Sequence, residues 1–259
     1  MTNIDNDPAR RCIHVIFPCY NEEEGLEQLL HRFQRIIRLQ HWDCRLVIIN
    51  DGSRDHTRFV VQSFLDELPI HYIHFEKNRG VAEVFNTGFA HVLETATGPD
   101  DVVVTIDSDN TMNPYLIIDL IERIEDADVV IASRFRSGGG MIGAGYRAWL
   151  SHLASWLMRS RVGLIHVTDY SIFFRAYRID LIRDLYRHFQ GRPVAGKGFS
   201  CMANLLLRIP AVRPDARFAE VPLLLRYDQK KSPSSIRIFQ TIMGYLNLAF
   251  GQPKPSSFR

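Results

Sequence analysis

Five short runs rich in valine and isoleucine, at residues 13–17, 45–50, 70–75, 102–107 and 129–133, alternate with segments of helical periodicity, and this alternation constrains the fold more than any other feature. Several of the runs are apolar almost throughout. Strands of that kind are covered on both faces, the condition of a parallel sheet with helices on either side. Repeated strand and helix units therefore predict an α/β fold with a doubly wound, mostly parallel central sheet and helices on both faces.

The intervening segments support that reading. Leu26, Leu29, Leu30, Phe33, Ile36 and Ile37 recur at helical spacing and predict one buried stripe, with Asn21 as N-cap and Glu24 completing a capping box. Shorter patterns predict helices over 55–68, 81–93 and 114–124, the last opened by Pro114. The glycine-rich stretch 137–145 predicts a mobile loop without regular structure. Beyond it come a helix over 146–165 carrying Arg147, Trp149, Trp156, Arg159 and Arg161, and a last apolar helix over roughly 234–250. The organisation expected is a flexible N-terminus (1–10), one domain (11–230) and a C-terminal amphipathic helix with a tail (231–259).

Composition narrows the function by exclusion. A formal charge of +2 is far from the basic surplus of a dedicated nucleic-acid binder. Cys12, Cys19, Cys44 and Cys201 show no Cys-x-x-Cys spacing, so buried free thiols are expected. Residues 1–11 contain no apolar signal core, and no window reaches the roughly 18 apolar residues of a membrane span. A cytoplasmic location with at most peripheral membrane contact is the corresponding expectation. No histidine pair has metal-binding spacing next to an acidic motif, so His14, His71 and His74 read as structural, and no Gly-x-Gly-x-x-Gly follows the first run.

Ligands of open parallel sheets bind beyond the carboxyl ends of the strands, so polar residues that close apolar runs are the first candidates. Three such endings occur: Phe17-Pro18-Cys19-Tyr20-Asn21-Glu22, Asn50-Asp51-Gly52-Ser53 and Asp107-Ser108-Asp109. Taken singly, Asp51-Gly52 is equally a common turn, and an isolated Asp-x-Asp is more often a cap than a metal site. Together, two carboxylates two residues apart at a strand end suit a hard divalent ion shared with a diphosphate.

These three segments, read in order, resemble the inverting family 2 glycosyltransferases of the GT-A fold, a Rossmann-like fold for nucleotide-diphospho-sugar transfer. Within them the chain is most similar to the dolichol-phosphate mannosyltransferase and polyprenyl-phosphate glycosyltransferase subgroup. The resemblance runs from about Cys12 to Leu248. It implies that Pro18, Tyr20, Glu22 and Asp51 cradle the nucleotide of GDP-mannose or a UDP-hexose, with Asn78 and the segment to Gly88 completing the pocket. It implies further that Asp107, Ser108 and Asp109 meet the donor diphosphate, with Asp107 and Asp109 holding Mg2+ or Mn2+. The subgroup often has Gln as a third ligand where this chain has Thr111. Other departures are Ala82 and Glu83 in the donor segment, Ile172 and Phe173 in place of Ser-Gly, and Ser235 in place of a lysine.

The acceptor decides the remaining chemistry. A hydroxyl acceptor requires a general base, for which Asp169 is the candidate, whereas a polyprenyl phosphate is already ionised and needs cationic clamps instead. The resemblance assigns acceptor-phosphate contact to Arg134 and Lys230, with Arg175 and Arg226 as further candidates. The two late helices suit a lipid interface, or alternatively pack on the domain or form a dimer. Two other readings stay open: a related transferase acting on a soluble or specialised-metabolite hydroxyl, and a non-catalytic nucleotide-sugar binding subunit.

Overall fold

The computed structural model describes residues 11–161, 163–198, 200–230 and 238–251, so the expected flexible segment 1–10 and residues 231–237 and 252–259 of the expected tail lie outside the described residues. Each apolar run becomes a strand: β1 (Cys12–Cys19), β2 (Asp43–Asn50), β3 (Ile70–His74), β4 (Val102–Thr105) and β5 (Val129–Ser133). Between them lie α1 (Glu23–Gln40), α2 (Thr57–Ser63), α3 (Val81–Thr95) and α4 (Ile117–Arg123). Pro114 opens a single 3-10 turn, capped by the Asn113 side chain, ahead of α4.

The seven-stranded sheet has the order β3-β2-β1-β4-β7-β5-β8, where β7 is Arg175–Arg178 and β8 is Phe218–Pro222. Every pairing is parallel except those of β7, which runs antiparallel to β4 and β5. The short polar segment Arg-Ala-Tyr-Arg carries no strand signal of its own. It is held centrally because Ala176 and Tyr177 are buried and the Arg175 guanidinium donates to the carbonyls of Tyr170 and Met202, each at 2.8 Å.

Neighbouring side chains of β1 show why both faces are covered, since adjacent residues of a strand point to opposite sides. Phe17 meets Phe33 of α1 edge to face at 5.1 Å, while Ile16 lies against Gly88 of α3. All four cysteines are buried free thiols, as expected.

Two local expectations are corrected. Asn21 is not the N-cap of α1: its φ is 56°, Glu22 takes the cap position, and that residue makes no side-chain cap bond. The loop after β2 does the capping, with Asp55 accepting from the Glu23 N–H at 3.1 Å and Thr57 from the Glu22 N–H at 3.0 Å. The glycine-rich segment is not wholly irregular either. β6 (Gly140–Ile142) pairs in parallel with β9 (Leu224–Arg226), which supplies the backbone partners that a sequence window does not show.

The last elements are α5 (Tyr146–Arg161), α6 (Ile179–His188), α7 (Ser200–Val212) and α8 (Ile238–Gly251). Among the described residues no helix is long and apolar enough to cross a membrane.

His14 on β1 is completely buried, 3.4 Å from Asp101, and His71 stacks on His91 of α3 at 3.6 Å. Burial depresses the pKa of His14, and burial together with His71 depresses that of His91. The unfolded chain therefore binds protons that the folded chain refuses once the pH falls below about 6.5. The neutral imidazoles contribute their full stability above that pH, and the contribution shrinks as pH drops toward the folded values. Denaturant unfolding from about pH 8 down to about pH 5.5 is expected to show a falling midpoint, flattened in His14→Gln. An unchanged slope in that variant would assign the dependence to other groups.

Candidate active site

The three polar strand endings meet beyond the carboxyl edge of β1, β2 and β4. Ser108 ties two of them together, donating to the Pro18 carbonyl at 2.9 Å and lying 2.9 Å from the Cys19 thiol. The Asp51 N–H donates to the Cys19 carbonyl at 2.8 Å, so the second ending is fixed to the first. Asp51 is buried and accepts from the N–H groups of Arg79 at 2.6 Å and Gly80 at 3.0 Å. Burial raises its pKa against those bonds. Gly52, at φ +73°, brings the turn so close that a β-carbon there would lie 2.7 Å from the Asn78 nitrogen. Asp51 and Gly52 thus shape the loop before α3, leaving Asn78 exposed and Tyr20 and Glu22 half-buried at the rim.

At the third ending, Asp107, Asp109 and Glu22 gather three carboxylates around one ammonium. Lys230 Nζ lies 2.6 Å from Asp109 Oδ2 and 3.8 Å from Glu22 Oε1. Burial and then the charge of Asp109 push the Asp107 carboxyl well above its usual range, and Lys230 opposes the rise. Burial alone would lower the Lys230 pKa, but Asp109 and Glu22 overcome it and hold the pKa above its ordinary value. Asp109 Oδ1 accepts from the Thr111 N–H at 3.1 Å and its hydroxyl at 2.6 Å. Where a third ligand was expected to be missing, Thr111 instead orients the second aspartate.

Hard oxygen donors of this kind fit Mg2+ or Mn2+, which take one or two carboxylates and complete their shell with water and phosphate oxygens. Among the described residues no cluster of three or more ligating side chains offers a complete protein cage. The ammonium of Lys230, already seated on Asp109, shows that this corner of the cleft accommodates a cation.

A second charged centre lies after β5. Arg134 and Asp169 form a buried bidentate pair, Nε to Oδ2 and Nη2 to Oδ1, both 2.7 Å. Arg134 also donates to Ser171 and, at 3.3 Å, to Ser151 of α5. Burial would raise the Asp169 pKa, but Arg134 more than offsets that and keeps it below the ordinary carboxylate value. Glu220 of β8 braces the turn, accepting from the N–H groups of Thr168 and Asp169 at 2.6 and 3.0 Å. Tyr245 of α8 is buried within electrostatic reach of Arg134 and Asp169, and burial raises its pKa.

All four expected phosphate contacts have protein partners: Arg134 is held by Asp169, Lys230 by Asp109 and Glu22, and the other two are no freer. Arg175 is fully buried with both terminal nitrogens on carbonyls, so it braces the sheet and offers no exposed clamp. Arg226 is half-buried but paired with Asp228 at 2.7 Å, which offsets its charge. Its N–H donates to the Thr111 carbonyl at 2.8 Å, linking β9 to the aspartate turn.

The sequence reading missed Gly25 and Glu220, and it took Tyr245 only as part of the last apolar helix, whereas that side chain is buried. Gly25, inside α1, carried a usable signal: a glycine within a strongly periodic helix marks a close approach. A β-carbon there would lie 2.9 Å from the Asp109 backbone. Alanine normally favours a helix over glycine by about 1 kcal/mol. Gly25→Ala is nevertheless expected to destabilise by about 1–3 kcal/mol through overpacking. Denaturant unfolding, with hydrogen exchange of the turn at 107–111, measures it; a stabilised variant would show that helix and turn do not touch.

Comparison with known proteins follows the same lines. A model of the glycosyl transferase family 2 domain matches residues 14–186. The undecaprenyl-phosphate mannosyltransferase of Micrococcus luteus is 29% identical over 211 residues, 81% of this chain and 81% of that protein. The dolichol-phosphate mannosyltransferase of Pyrococcus furiosus is 34% identical over 128 residues, 49% of this chain but 34% of that protein. An undecaprenyl-phosphate 4-deoxy-4-formamido-L-arabinose transferase of Pseudomonas fluorescens is 29% identical, and the match covers 66% of this chain and 48% of that protein. The chain thus spans about half or less of the length of the latter two. Among solved structures, glucosyl-3-phosphoglycerate synthase from Mycobacterium tuberculosis, in complex with Mn2+, UDP-glucose and phosphoglyceric acid, superposes with a TM-score of 0.66 at 20% identity. That superposition covers 95% of this chain and 82% of the other, and the shared architecture is the GT-A fold that the resemblance of the three motifs implied.

Proposed function

The chain belongs to glycosyl transferase family 2, and from that premise we propose that it moves a hexose from GDP-mannose or a UDP-hexose, with inversion, to a polyprenyl phosphate. The observation that carries this reading is the pair Asp107 and Asp109 just beyond β4, with the Lys230 ammonium already seated on Asp109. In this reading residues 11–230 form the catalytic unit. Pro18, Tyr20, Glu22, Asp51 and Asn78 border the nucleotide, and Ser108 holds the diphosphate turn against β1. Asp107 and Asp109 hold Mg2+ or Mn2+, which when bound offsets the charge that builds on the departing nucleotide.

The acceptor side supports a phosphate over a hydroxyl. A hydroxyl needs a base to take its proton, and Asp169 is locked to Arg134 with its pKa depressed. A phosphomonoester brings an oxygen already ionised near neutral pH. Lys230 is the cation placed to attract it, since the charge of Arg134 is matched by Asp169. The relatives named for undecaprenyl and dolichol phosphates point to the same class of acceptor.

The late helices give such an acceptor a surface to arrive from. Trp149, Leu153 and Trp156 recur along the outer side of α5 and are 68%, 46% and 65% exposed. Met243, Leu246 and Phe250 do the same on α8, and the Arg161 guanidinium lies 4.4 Å over the Phe250 ring, joining the two helices. Exposed tryptophans flanked by arginines suit the headgroup layer of an anionic membrane. We therefore place the protein peripherally at the cytoplasmic membrane face.

Incubation with labelled GDP-mannose or UDP-glucose, polyprenyl phosphate and Mn2+ is expected to move label into butanol. Asp109→Asn is expected to lower turnover by about 100-fold or more, the scale of losing a principal electrostatic stabiliser. Unchanged turnover in that variant would refute the metal role, and label reaching only water-soluble acceptors would refute the lipid one. Replacing Trp149 and Trp156 together by serine is expected to abolish cosedimentation with anionic vesicles while leaving the thermal unfolding midpoint in place. Retained cosedimentation would move the membrane contact elsewhere.

A further inference from the structure

Lys230 holds an oxygen of Asp109 that a divalent ion would also seek. Its Nζ is a hydrogen bond's length, 2.6 Å, from Oδ2, and the other oxygen of Asp109 is already held by Thr111. The lysine side chain is 16% exposed and the aspartate 12%, so the pair is shielded from water. A buried ammonium is stable only with carboxylates around it, and here Asp109 and Glu22 provide them. An ammonium this close takes up one lone pair of that oxygen and repels a divalent ion brought to the same carboxylate, so the two cations compete.

Resting on the reading that Asp107 and Asp109 bind Mg2+ or Mn2+, we propose that Lys230 is an internal competitor for the cation site. Its ammonium has to leave Asp109 before the ion can coordinate there. The free protein therefore binds the ion weakly, and tight binding requires the extra negative charge of the nucleotide diphosphate. Lys230 follows β9, whose Arg226 N–H is fixed to the Thr111 carbonyl, so the displaced ammonium stays beside the cleft. There it becomes available to the acceptor phosphate. Donor and ion thus bind first, and their arrival assembles the acceptor contact.

The test is Mn2+ binding in the absence of nucleotide, read from the paramagnetic resonance signal of the free ion, for wild type, Lys230→Met and Lys230→Arg. Removing the competitor is expected to tighten Mn2+ at least about tenfold in Lys230→Met, while Lys230→Arg, which keeps the charge, stays within about threefold of wild type. Unchanged or weaker binding in Lys230→Met overturns the proposal, and so does equal tightening in both variants. Thermal unfolding confirms that each variant is folded, and Lys230→Gln replaces the methionine variant if that one is not. Parallel titrations with GDP and UDP separate this idea from its premise. Nucleotide-dependent Mn2+ binding that survives Asp109→Asn removes the cation-site reading itself. Its loss in Asp109→Asn, with metal-only affinity untouched by Lys230→Met, removes the competition alone.

Discussion

Clustered negative charge at the rim of an apolar sheet governs the rest of this molecule. Glu22, Asp107 and Asp109 converge beyond β1 and β4, and nothing in the valine-rich strands beneath them screens their repulsion. Such an arrangement persists only with a positive partner close by. Lys230 is that partner, reaching in from the far end of the chain, and its carrier β9 is hydrogen-bonded to the very turn that it neutralises. The last third of the sequence is therefore bound to the middle third by electrostatic need as well as by packing.

The second centre solves a similar problem differently. Arg134 and Asp169 are fully paired inside the protein, with Glu220 and Ser171 satisfying the surrounding donors and acceptors. A pair so enclosed is a fixed electrostatic fixture and a poor proton shuttle. It also couples elements: Arg134 donates to Ser151 of α5, and Tyr245 of α8 is buried close by. The helices whose outer sides expose Trp149, Trp156 and Phe250 are thereby held to the catalytic cleft by their inner sides.

Much of this was legible in the chain because periodicity and strand-end chemistry are local. The five parallel strands, the α1 stripe and the positions of Asp51, Asp107 and Asp109 all follow from short windows. What escaped depended on distant partners. β7 has no apolar run, and becomes a central strand only because β4 and β5 flank it. Arg175 reads as a surface cation until the carbonyls of Tyr170 and Met202 surround it. Asn21 looks like a cap, yet the loop after β2 supplies the oxygens. The glycine-rich segment gains order from β9, more than eighty residues onward. The pairing of Lys230 with Asp109 spans 121 residues and has no sequence signature.

The bond between the Arg226 N–H and the Thr111 carbonyl works as an anchor point for a short leash. Only three residues lie between Arg226 and Lys230, and an extended chain spans at most about 3.3–3.6 Å per residue. A group confined in this way has a local concentration on the order of millimolar, whatever the amount of protein in solution. On the competition proposed above, the divalent-ion level at which the cleft would change occupant depends on the length of a tether, and shortening or lengthening that tether would reset it.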